Sequence, residues 1–158
     1  MKTNEITCTE TLLEEPKVFK EPLIIISNPA FKYRNSDTMD IVRITLKEDY
    51  TKIDFVHYAG QNYINGGWVS MHGDAFIRIL GNTDKLHLIK AINIPLQPKK
   101  HWYKTKLECL YFSLLFPAIP KSTTHIDIIE REGGGSTFFN FYGVSMSRVN
   151  KSVIRILN

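Results

Sequence analysis

The chain of 158 residues has the length of one domain, long enough to bury a core without cross-links to hold it. Its 43% hydrophobic and 23% charged residues are those of an ordinary folded protein and exclude a disordered, collagen-like or coiled-coil chain. A net charge of +4 invites an acidic partner, but the bases are scattered, so no nucleic-acid surface follows from the total.

Residues 1–20 mix charge with few large apolar side chains, and Pro16 and Pro22 interrupt any regular element, so an N-terminal arm is expected there. The start MKTNEITCTE has no apolar segment of the kind that export signals carry, and no run reaches the roughly 18 apolar residues of a membrane span. From Leu23 the run LIII, closed by Asn28-Pro29, suits a first or edge strand, and FKYRNS after it reads as a loop. Asp40 to Lys47 alternates with period two, as does Lys52 to Tyr58, which sets Ile53, Phe55 and His57 on one face. The four residues EDYT between them predict a hairpin.

Gly66-Gly67 opens a short strand, WVSM, and AFIRIL over Ala75 to Leu80 runs to a turn at Gly81-Asn82. Leu86 to Ile94 reads as one further strand, stopped by Pro95 and Pro98. Lys99 to Lys106 reads as a solvated inter-strand loop, with Lys99, Lys100, His101, Lys104 and Lys106 around Trp102 and Tyr103. Leu107 to Phe116 is the longest apolar run, and its face of Leu110, Phe112, Leu114 and Phe116 is the expected core. Ile126 to Ile129 and Phe138 to Val144 supply two more strands across the turn of Gly133, Gly134 and Gly135, and Ser152 to Leu157 a last short one. No segment keeps an apolar spacing of three and four, so the pattern predicts an all-β antiparallel sandwich of seven to nine strands over residues 21–147, with 148–158 as a tail or edge strand.

The residues that carry chemistry do not assemble into a catalytic pattern along the chain. Cys8 and Cys109 form neither Cys-x-x-Cys nor zinc-ligand spacing; Cys8 falls in a polar stretch, and Cys109, mid-strand, reads as a small hydrophobe. The five histidines are dispersed, and His72 with Asp74 is better explained by a turn than by a metal. Asp127 and Glu130 lie on opposite faces of their strand and cannot act as a carboxylate pair, and Ser136 lacks a nucleophile elbow. No catalytic, cofactor or metal residue is therefore assigned. Among the aromatics, Trp102 and Tyr103 are expected to be exposed in their basic loop, and with Lys99 and Lys100 they form the expected recognition surface.

Two blocks resemble a known family. Asn28 to Tyr58, NPAFKYRNSDTMDIVRITLKEDYTKIDFVHY, resembles the "NPxFxxRN" loop, strand, turn and strand of the immunoglobulin-like β-sandwich found before the thioredoxin domain of Bacteroidetes thiol-disulfide oxidoreductases. FSLLFPAIPKSTTHIDIIE and FNFYGV are similar to that domain's "FTLxFxPLPKxTxxxDxIE" and closing strand. Too few residues follow Met146 for a thioredoxin domain, and Cys-x-x-Cys is missing, so redox activity is not implied. The resemblance implies an immunoglobulin-like accessory module, non-enzymatic, of the periplasm or cell envelope, with a protein or glycan partner and no cofactor. A small metal-dependent or Cys/His hydrolase on the same scaffold is the alternative.

Overall fold

The computed structural model describes Cys8, residues 24–133 and residues 135–148, and among these the chain is strand and turn with no helix. The first sheet joins β1 (Ile24–Ser27), β3 (Met39–Leu46), β4 (Tyr50–Tyr58), β10 (Cys109–Pro117) and β8 (Lys90–Ile92), in that order. The second joins β2 (Tyr33–Arg34), β12 (Phe141–Ser145), β11 (His125–Ile129), β6 (Phe76–Ile79) and β7 (Leu86–His87). A separate two-stranded ribbon pairs β5 (Trp68–Val69) with β9 (His101–Trp102). Every strand pair is antiparallel.

Alternation decides which side chains meet between the sheets. The central pair β4 and β10 stays in register from Cys109↔Tyr58 to Pro117↔Tyr50, which sets Phe112 directly opposite Phe55 with their rings stacked at 5.2 Å. Phe55 also reaches Phe141 of the second sheet at 6.2 Å. These contacts close the two layers over one core, in which Ile44, Ile53, Phe55, Phe112, Phe116 and Ile126 are fully buried. Each such side chain contributes roughly 1.5–3 kcal/mol by leaving water. The expected face of β10 is the core face; only Leu110, toward its end, is half-buried.

Four differences from the sequence expectation have physical causes. Leu86 to Ile94 is not one strand: the chain leaves the second sheet after β7 and enters the first at β8. At the crossing the Leu88 amide bonds the Ala75 carbonyl and the next amide, of Ile89, bonds the Leu115 carbonyl. The segment FKYRNS carries a short edge strand, β2, held to β12 by Arg34↔Phe141 and Tyr33↔Tyr142. The closing strand begins at Phe141 rather than Phe138, because Asn140 turns its side chain into the preceding corner. The described residues hold twelve strands rather than seven to nine, the surplus being two-residue pieces. The expected strand at Ser152 to Leu157 lies outside the described residues, as does the arm over residues 1–20 except for Cys8.

Cys8 is joined to Cys109 as a disulfide, their Cα atoms 5.5 Å apart and 101 residues separating them. This corrects the expectation that Cys109 serves as a small hydrophobe. Spacing along the chain carries no information about which strand a distant cysteine meets.

Asp127 shows how the second sheet absorbs an irregularity. Its register with β12 jumps between Ile126↔Val144 and Ile128↔Phe141, so two residues of β12 face one of β11. Gly143 takes a φ of 63° in that bulge, and the Asp127 carboxylate accepts its amide at 2.9 Å, replacing the lost ladder bond. The other carboxylate oxygen takes Arg78 at 3.2 Å. Asp127 was expected to hydrogen-bond a turn; its partners are instead the amide of the bulge and Arg78.

Candidate recognition surface

The ribbon exists because the loop before it folds back tightly. The Gly60 amide bonds the Gly66 carbonyl at 2.7 Å, and the Gln61 carboxamide donates to the Lys106 carbonyl at 2.9 Å, tying the loop to the chain beyond β9. Gly66, at φ 88°, has no room for a side chain: a Cβ would stand 2.8 Å from the Thr105 carbonyl oxygen and 2.7 Å from the Ala59 Cβ. Its glycine is what lets the two segments touch. On the far side Glu108 gathers the turn, its Oε2 accepting the Lys104 and Thr105 amides at 2.5 and 2.9 Å. Those amide bonds, first of all that of Thr105, hold the Glu108 carboxyl below the usual carboxylate range.

Within the ribbon Trp68 stands directly opposite Trp102, with ring centroids 6.4 Å apart. Both indoles face solvent, Trp68 at 43% and Trp102 at 63% exposure. The Lys100 ammonium lies 4.3 Å from the Trp68 ring centroid and 5.6 Å from that of Trp102, so the two rings and the cation form one cluster. Lys99, Lys104 and Lys106 are exposed around it.

Tyr103 corrects the expected surface. It is 5% exposed, and its hydroxyl lies 2.8 Å from His57 Nδ1 and 3.2 Å from the His57 carbonyl oxygen, to which it donates. The segment holding it is part strand, not a solvated loop, and successive residues of a strand point to opposite sides. If Trp102 faces out, Tyr103 must face in. Trp68, which the sequence did not single out, is the partner of Trp102; no local signal links the two, and only the ribbon pairing brings them together.

Beside the ribbon lies a cleft of about 690 Å³, with exposed Tyr63 and Trp68 and with Ser70, His57, Phe139 and Glu130 among its lining. That volume is in the range of small-ligand sites. Two of these groups would be candidates for acid-base work, and both are already committed. His57 stacks on Tyr103 with rings 5.7 Å apart, and burial, with the nearby His101 second, lowers its pKa to about 4, so the ring is neutral at pH 7. Burial likewise raises the Glu130 pKa, against the pull of the Phe139 and His72 amides that its Oε1 and Oε2 accept at 3.1 and 3.0 Å. Glu130 therefore fastens three segments. Asn140, fully buried, completes the corner by accepting the Glu130 amide at 2.9 Å and donating to the Arg131 carbonyl at 2.8 Å.

The remaining sequence candidates stay apart. His72 takes the Asp74 amide on its Nδ1 at 3.2 Å, the turn role expected of it. Among the described residues no group of three or more His, Cys, Asp or Glu side chains is placed to hold a metal ion, and no helix is long and apolar enough to cross a membrane. No family model, no curated protein and no solved structure matches this chain.

Proposed function

We propose that the protein is a non-enzymatic recognition module, an immunoglobulin-like accessory sandwich of the cell envelope that presents the Trp68–Lys100–Trp102 cluster to a protein or glycan partner. The observation that carries this reading is the pair of solvent-facing indoles, distant in sequence, with a lysine stacked against both. A fold gains nothing by leaving such rings in water, whereas large rigid aromatics with a cation are what binding surfaces use. The commitment of Glu130 and His57 to holding the fold supports binding over catalysis. A disulfide-linked Cys109 is not free to act as a thiolate, which weighs against a Cys/His hydrolase.

The envelope assignment draws on the family resemblance and on the disulfide, a bond that persists in oxidising compartments. The test is retention on a native envelope fraction. Wild-type protein should be retained, and a Trp68→Ala/Trp102→Ala variant with unchanged thermal stability should not. Equal retention of the two would remove the ribbon as the binding surface.

A further inference from the structure

Resting on that reading, we infer that the ligand of the ribbon and its cleft is an acidic polysaccharide, a chain of sugars carrying carboxylates. Three features converge on this chemistry. The exposed indole faces of Trp68 and Trp102 are suited to the C–H faces of pyranose rings, and Tyr63, 63% exposed, lines the same cleft as Trp68 and offers a third ring. The cleft is lined by hydroxyl and carboxamide groups, among them Asn62, Gln97, Ser136 and Thr137, which can give and take hydrogen bonds with sugar hydroxyls. Ser70, 4% exposed, also belongs to the lining, and its buried hydroxyl has no hydrogen-bond partner.

Charge selects among sugars. Lys100 is held between the indoles, where it meets whatever stacks there, and Lys99, Lys104 and Lys106 extend the positive field along the ribbon. The cleft itself carries the carboxylates of Asp37 and Glu130 beside the guanidinium of Arg34. A uronate unit offers hydroxyls beside its carboxylate, so it can set hydroxyls in the cleft and its carboxylate on Lys100, whereas a phosphodiester backbone brings only charged and ester oxygens. This favours a glycan over single-stranded nucleic acid, the other partner that bases interleaved with aromatics suit.

Electrophoresis of the full chain through gels containing polyuronate, neutral glucan or neither, followed by calorimetric titration with uronate oligosaccharides, tests the inference. Polyuronate should retard the protein while glucan does not. Trp102→Ala should weaken the titrated affinity about tenfold or more and Lys100→Gln about fivefold, with Lys121→Gln, at an exposed lysine away from the ribbon, within twofold of wild type. Trp102 is exposed enough that its removal leaves the fold intact, and a matched melting temperature verifies this.

Retardation lost equally in Lys121→Gln and Lys100→Gln would reduce binding to net charge and overturn the inference. Tighter binding of an oligothymidylate than of the uronate would do the same, as would equal retention by glucan. Failure to bind polyuronate while envelope retention still depends on Trp68 and Trp102 would overturn the acidic-glycan assignment alone and leave the recognition surface standing.

Discussion

The aromatics of the sandwich and those of the ribbon are the same residue types put to opposite uses. Phe55, Phe112 and Phe141 are at or below 1% exposure, and their rings bridge the two sheets. Trp68 and Trp102 touch each other at a similar distance yet keep much of their surface in water. The difference lies in what backs each pair. Strands β4 and β10 are nine residues long and have a second sheet opposite, whereas β5 and β9 are two residues long and belong to neither sheet. An aromatic contact stabilises a fold in proportion to the area it takes from water, so the first pair supports the structure and the second is left free to meet something else.

Substitutions break that contrast in graded steps. Phe112→Ala should be the most damaging, about 3–5 kcal/mol by chemical denaturation, and Leu114→Ala should follow at about 2–5 kcal/mol, since both leave cavities between the sheets. Reduction of the Cys8–Cys109 bond, or Cys109→Ser, should cost about 2–4 kcal/mol, because the bond closes a long loop in the unfolded chain. Unreduced protein should show no free thiol by mass spectrometry, and a full count of free thiols would refute the bond. At the small end, Trp102→Ala should change stability by no more than about 0.5 kcal/mol. A Trp102 effect as large as that of Phe112 would erase the distinction between the two regions.

His57 stands between the regions and gives a pH-dependent test. Its folded pKa of about 4 lies below the ordinary 6.5, so the unfolded chain takes up the proton first as pH falls. The stability it confers is whole above about pH 7, is lost between pH 6.5 and 4, and levels off below, a change of about 3 kcal/mol. Glu130 acts in the opposite sense: its raised pKa favours the fold at low pH and that contribution is lost as pH rises through the folded value. Urea titrations at a series of pH values should therefore show a steeper acid loss in wild type than in His57→Gln. Identical slopes would mean that His57 is not buried as a neutral ring.

Much of the sandwich was legible because alternation is local. The faces of Phe55 and Phe112 follow from counting by two, and so does the hairpin between β3 and β4, although its connection is 47–49 and Tyr50 and Thr51 of the expected turn belong to β4. The strand break at Leu88 and Ile89 was not legible, since those residues are as apolar as the strands they join and only the carbonyls offered by Ala75 and Leu115 divide them. The exposed aromatic and basic cluster of the ribbon was half legible. Trp102 with Lys99 and Lys100 stood out as an aromatic and basic cluster, but Tyr103 was misplaced by treating a strand as a loop.

What the sequence by itself determined is the all-β class, the core face of β10 and the turn role of His72, because each depends on neighbours a few residues away. What only the tertiary structure decided is the meeting of Trp68 with Trp102, of Cys8 with Cys109, and of Tyr103 with His57. Those pairs are formed by strands and segments brought together from distant parts of the chain. The free energy that selects them comes from closing the whole core, and no window of sequence contains it.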